Sequence, residues 1–182
     1  MEAQKIYTVE EFEVFIALPE NADRRFELVD GELVEKMPTQ LHGWIVILLV
    51  EVLLPYLREN PIGRILAEAA YRIPGDGHNN HVPDLSFITN DKLPIVRKSA
   101  APYMPDLAVE VKSPDQTEKQ MVDKAAYYLA NGSRMVWLVY PEKRLLEVLT
   151  LTDRQLLTEA DTLDGGDVLP GFSLAVKVLF EE

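Results

Sequence analysis

The chain is predicted to fold as a single α/β sandwich, and three observations lead there. Its apolar pattern runs helix, hairpin, helix, three strands, helix and further strands, so both periodicities alternate along one chain. At 182 residues it is long enough to bury a core without disulfide or metal staples. No repeat, low-complexity tract or linker divides it, so one domain over residues 1–182 is expected.

Each element has its own local reason. Thr8 with Glu11 makes a capping box, Tyr7 and Phe12 fall at staple positions, and Pro19 ends the segment, which predicts a helix over 9–18. Asp30-Gly31 between the two ELV triplets of "RFELVDGELVEKM" predicts a two-residue hairpin in which Val29 faces Glu32 and Glu27 faces Val34. A long buried helix follows over 42–59, closed by Asn60-Pro61 and Gly63. Its stretch "WIVILLVEVLLPYL" is too short for a bilayer span of about 20 apolar residues and contains Glu51 and Pro55, so it reads as a core helix.

"RILAEAAYRIP" reads as a strand, "GDGHNN" as a loop, "VPDLSFIT" as a second strand, the proline-containing 91–104 mostly as loop, and "DLAVEVK" as a third strand. Ser113-Pro114-Asp115 breaks that strand, and 116–130 is a helix stopped at Asn131-Gly132. "RMVWLVYP" and "RLLEVLTL" form two more strands, and "QLLTEA" with "FSLAVKVLF" is expected to add a C-terminal pair.

Composition narrows function. The absence of cysteine excludes disulfides, thiolate metal sites and cysteine nucleophiles. The acidic N-terminus lacks the build of a signal peptide, so a cytoplasmic location is expected. A net charge of −12 argues against broad adhesion to nucleic acid, which draws its affinity from lysine and arginine; nucleic-acid chemistry here would need a local basic patch or a divalent metal. No GxxxxGK[ST] loop, GxSxG elbow or HExxH helix is present, which removes P-loop kinase, α/β-hydrolase and zincin readings.

The stretch "PDLAVEVKSPDQT" carries the chemistry. Strand alternation puts Asp106, Ala108, Glu110 and Lys112 on one side and Leu107, Val109 and Val111 on the other. An E-x-K on a strand is most simply a surface ion pair; a metal-dependent phosphodiesterase would need a second carboxylate beside the first. Asp106 does not serve, because four residues of strand separate it from Glu110 by roughly 13 Å. Asp84 in "VPDLSF" does, if its strand pairs with the third, since neighbouring strands lie about 4.8 Å apart.

Pro83-Asp84 followed by Glu110-Val111-Lys112, with a helix before and a helix after, resembles the PD-(D/E)xK nuclease superfamily. More narrowly, "FELVDGELVE", His42 opening a long helix, "VPDLSF", "PDLAVEVKSP", Lys124 with Tyr128, "NGSRMVWLVYP" and "LPGFSLAV" are similar to the bacterial restriction-endonuclease-type family called Uma-two. The ordered anchors cover nearly the whole chain and are more specific than the three-residue core motif.

The resemblance implies a restriction-endonuclease-like α/β fold, with a central mixed β-sheet flanked by helices and an N-terminal β-hairpin. It also implies Mg²⁺ (or Mn²⁺) as cofactor and cleavage of DNA phosphodiester bonds. Carried over, Asp84 and Glu110 become metal ligands, joined by the Val111 carbonyl, and Lys112 takes the lysine position that orients the attacking water. Many members keep only a lysine on the following helix; here both Lys112 and Lys124 are present, and the division of labour between them stays open. A homodimer is expected, since cutting two strands takes two sites. The alternative is a non-catalytic nuclease-like domain that binds a protein or nucleic acid, which the −12 charge favours.

The supporting positions also have plainer roles open to them. Glu51 is a candidate to support the metal through water, or else a paired or polar-edge acid of its helix. His42 matches the family's histidine, with capping or solvent exposure as the alternative. Gln120 and Lys124 lie four apart on one helix face and can both point at the site. Glu27 and Glu32 rim the cleft or are solvated ribbon acids, His78 and His81 read as loop, and Trp44, Trp137, Tyr127 and Tyr128 read as core.

Overall fold

The computed structural model describes residues 5–181. Helix α1 (Val9–Ile16) forms with both arms of the Thr8/Glu11 capping box closed. Strands β1 (Phe26–Val29) and β2 (Glu32–Glu35) make the hairpin in the expected register. Asp30 and Gly31 take φ of 49° and 79°, the left-handed pair that a two-residue turn between right-twisted strands requires.

Helix α2 (Gln40–Glu59) starts two residues earlier than expected, because Thr39 caps it by accepting from the His42 N–H. At 20 residues and a mean hydropathy of 1.7 it has the length and composition of a membrane span. Its buried stripe, Ile45, Leu49, Leu53 and Leu57, packs instead on one face of the sheet. Pro55 does not end it, since the Glu51 carbonyl that loses its helical partner lies on the exposed side. Leu41, Trp44, Ile47 and Leu54 also stay exposed, so Trp44 is not core.

Six strands form the central sheet in the order β3 (Gly63–Ala67), β4 (Leu85–Thr89), β5 (Leu107–Val111), β6 (Met135–Tyr140), β7 (Leu145–Leu149) and β8 (Arg154–Thr158). β5 and β6 are parallel and all other neighbours antiparallel, which makes the sheet mixed. The parallel step needs a crossover, and α3 (Glu118–Ala130) supplies it on the face opposite α2. β5 sorts its side chains as alternation requires: Leu107, Val109 and Val111 pack with α2, Ala108 with α3.

Two expectations are corrected. The strand begun at "RILA" stops at Ala67 rather than running to residue 74, because Glu68 turns the chain with φ of 49° and only Tyr71 bridges onward, to His81 and Ala101. "QLLTEA" does not pair with the C-terminal segment. Its residues enter β8 and extend the main sheet beside β7, while β9 (Thr162–Asp164) pairs with β10 (Ser173–Ala175), after which 176–180 coils into a 3₁₀ turn.

Candidate active site

The hairpin lies against the end of the sheet where β4 begins and β5 finishes, tied there by the paired Leu28 and Asn80 backbones and by the Gly31 N–H to the His78 carbonyl. Between hairpin, α2 and α3 opens a cleft of about 110 Å³, lined by Glu27, Lys36, His42, Asp84, Glu110 and Val111, with Gln116 and Gln120 on the α3 side. That volume is room enough for several waters or a hydrated ion.

Asp84 immediately precedes β4 and is buried. Its Oδ1 meets Lys36 Nζ at 2.7 Å; its Oδ2 accepts from the Val111 N–H at 2.8 Å and lies 3.0 Å from His42 Nε2. Burial pushes its carboxyl up, but the His42 hydrogen bond and the Lys36 charge outweigh that and hold it well below the usual carboxylate range.

Glu110, in β5, is equally buried. Its Oε1 accepts from Tyr128 Oη at 2.6 Å and lies 2.8 Å from Lys124 Nζ. Lys124 also meets Glu27 Oε2 at 2.9 Å, and Glu27 Oε1 accepts from the Val82 N–H at 2.8 Å. Three buried carboxylates therefore face two ammonium groups and one imidazole.

The charge balance decides where the protons sit. Burial alone would neutralise Lys124, yet Glu110 and Glu27 more than offset it and raise its pKa, so it stays charged. Glu27 is lifted by burial and lowered further by Lys124 and Lys36, ending below its ordinary value. Glu110 is lifted by burial, lowered by Lys124, and lifted again by Asp84 and Glu27, to about 7. It is the carboxylate for which the cluster lacks a positive charge.

The sequence-derived candidates divide. Asp84, Glu110, Val111, His42 and Gln120 line the cleft, and Lys124 sits beneath it. Gln120 spends its Oε1 on Thr117 in the capping box of α3. Lys112 is not in the cleft. β5 ends at Val111, and the half-buried Lys112 side chain, bonded to the Ser113 carbonyl at 3.3 Å, lines a separate hollow with Glu118, Tyr140 and Lys143. Alternation gave its face, but the first turn of α3 offers Gln120 to the cleft and Glu118 to that hollow. Glu51 lies on the exposed side of α2, outside the cleft lining.

Asp106 does not join the site. Its Oδ2 accepts from the Thr89 N–H at 2.9 Å and meets Lys92 at 3.0 Å, fixing the turn after β4. His78 is exposed and contacts the Tyr7 carbonyl, whereas His81 is buried against Tyr127 and Tyr128. Glu32 is solvated as expected of a ribbon acid.

Three residues at the site were not anticipated in these positions. Glu27, expected at the rim or in water, is 1% exposed at the cleft base; Tyr128 is core as expected, but its hydroxyl reaches Glu110; Lys36 carries no expectation from the sequence and meets Asp84. The signal existed in the hairpin register: Glu27 faces Val34, so Val34 and Lys36 share the side of Glu27. Among the described residues no three His, Asp or Glu side chains are grouped so as to hold a metal by themselves.

Comparison with known proteins agrees with the fold. The Uma2 family model, described as "Putative restriction endonuclease", matches residues 9–177. The crystal structure of "a putative nuclease belonging to DUF820" from Anabaena variabilis superposes with a TM-score of 0.79 at 24% identity, over 95% of this chain and 97% of that one. At that identity the likeness shows the fold. No curated protein matches.

Proposed function

This chain belongs to the Uma2 family, and from that premise we propose that its cleft is the site of a Mg²⁺-dependent endonuclease that hydrolyses DNA phosphodiester bonds. The observation that carries the reading is the buried trio Glu27, Asp84 and Glu110 at the base of an open cleft, one positive charge short at Glu110. The donor set fits magnesium rather than zinc. Mg²⁺ keeps several waters and takes one or two carboxylates, here Asp84 and Glu110 with the Val111 carbonyl, whereas a zinc site needs three or four protein ligands.

When bound, the metal would polarise a phosphate oxygen and lower the pKa of a bound water. The protein's own groups do the rest. Tyr128 and Lys124 hold Glu110 by one oxygen, Oε1, and His42 with the Val111 N–H fixes the plane of Asp84. Lys124 has its charge held by two carboxylates, so it fixes Glu27 and Glu110 beneath the cleft and does not take a proton. It is the lysine proposed for the reaction in place of Lys112. The duplex would lie across the cleft mouth with one phosphate reaching toward Asp84 and Glu110, which line it. Two copies acting together would cut both strands, which makes a homodimer the proposed active form.

The test is nicking of supercoiled DNA in Mg²⁺ or Mn²⁺ by wild type, Asp84→Asn and Glu110→Gln. Cleavage that needs the metal and falls by about 10²-fold or more in both variants is expected, the scale of losing one transition-state contact. A second reading, a nuclease-like binding domain without catalysis, is favoured by the −12 charge and by the many basic side chains already held in ion pairs, among them Arg24, Arg25, Arg72, Lys92 and Arg154. That reading predicts DNA or protein binding with no metal-dependent cleavage.

A further inference from the structure

Lys36 stands on Asp84 where a cation would. Its Nζ lies 2.7 Å from Oδ1 and donates to the Val82 carbonyl at 2.7 Å, with the side chain 13% exposed. The other oxygen, Oδ2, is held by two groups on regular elements, the Val111 N–H of β5 and His42 in the first turn of α2. Lys36 alone comes from an irregular stretch, residues 36–39 between β2 and α2, which lines the cleft with Lys36, Met37 and Pro38 and leaves Met37 61% exposed. Its side chain can therefore leave Oδ1 toward the mouth without breaking a strand or a helix.

An ammonium and a metal cannot share that oxygen. A magnesium ion binds carboxylate oxygen at about 2.1 Å and would bring a second charge against Lys36 at close range. We propose that Lys36 is a built-in counter-cation that occupies the metal position on Asp84 in the metal-free protein, so that metal binding proceeds by displacing it. This rests on the metal-site reading above. Lys36 then sets the metal affinity: it keeps the buried carboxylates compensated in the empty site and weakens binding by the strength of the contact it gives up.

The experiment is calorimetric titration of Mn²⁺, without DNA, into wild type, Lys36→Met and Arg24→Met. Arg24 carries the same charge at the hairpin and pairs with Glu35 of the cleft lining. Removing Lys36 is expected to tighten Mn²⁺ binding by at least about tenfold and to enlarge the Mn²⁺-induced rise in melting temperature. Removing Arg24 is expected to change the affinity less than about twofold, as for an exposed, screened charge. Lys36→Gln, which can still donate to the Val82 carbonyl, carries the same expectation should Lys36→Met fail to fold. Equal or weaker binding in the Lys36 variants, or equal tightening by Arg24→Met, overturns the displacement while leaving the metal site standing. Absence of Mn²⁺ binding in wild type and all variants removes both.

Discussion

Burial of a charged side chain is informative only once its partners are known, and the cleft shows why. Glu27, Asp84, Glu110 and Lys124 are each almost without solvent contact, an arrangement that is costly unless every charge is compensated. Strand alternation in the sequence located Glu110, and the pairing argument located Asp84. Glu27 escaped because an acid on a two-stranded ribbon is ordinarily solvated, and only the docking of the hairpin on residues 78–82 buries it. Lys112 lies outside the cleft for a different reason: alternation assigns a face but not which side of the crossing helix a residue falls on past the strand's end.

His81 gives a prediction at the same scale. It is 1% exposed, its ring nitrogens have no protein partner, and burial lowers its pKa to about 4. Between that value and about 6.5 the unfolded chain holds a proton that the folded chain does not, so this contribution to stability is complete above pH 6.5 and is lost as pH falls. Glu110, raised to about 7, acts in the opposite sense between about 4.5 and 7, which masks the effect in wild type. Comparing His81→Phe with wild type isolates it. In urea unfolding the variant is expected to lose about 2 kcal/mol less than wild type between pH 7 and pH 5. Identical losses would show that His81 is protonated in the fold.

At the level of elements, the hairpin delivers chemistry rather than area. β1 carries Glu27, and β2 leads directly into Lys36, so its turn sets the position of two charges in the cleft. Asp30-Gly31 made this element legible from sequence, register included. Gly31 sits at φ of 79° against Ile6 and the Tyr7 carbonyl, where an added Cβ would be both strained and crowded. Gly31→Ala is expected to destabilise the protein by about 1–2 kcal/mol in denaturant unfolding. A change below about 0.3 kcal/mol would mean that the turn tolerates rearrangement. The extent of β3 and the pairing of β8 were less legible. Glu68 in a left-handed conformation ends one strand with no glycine to announce it, and β8 pairs with β7 across the short turn at 150–153 while the C-terminal segment finds a nearer partner in β9.

For the whole molecule, topology explains why the site lies where it does. β4 and β5 run antiparallel, so the residue before β4 and the end of β5 meet at one end of the sheet, and Asp84 reaches the Val111 N–H there. The parallel β5–β6 step then forces a crossover helix over that end, which brings Lys124 and Tyr128 onto Glu110. The sheet end and the α3 wall thus follow from strand order. The hairpin with residues 36–39 is an addition that brings Glu27 and Lys36 to the cleft. Lys124 on the crossover helix consequently meets Glu110, whereas Lys112, past the strand's end, bonds the Ser113 carbonyl.

Single-turnover nicking of supercoiled DNA in Mg²⁺ shows whether phosphodiester cleavage runs through the Glu27–Lys124–Glu110 cluster and not through Lys112. Wild type, Lys124→Met and Lys112→Met would be compared, with folding verified by circular dichroism. If cleavage takes that route, wild type cleaves only with metal, Lys124→Met loses about 10²-fold or more, and Lys112→Met stays within about threefold of wild type. Retained cleavage in Lys124→Met with loss in Lys112→Met, or no cleavage by the folded wild type, would contradict it.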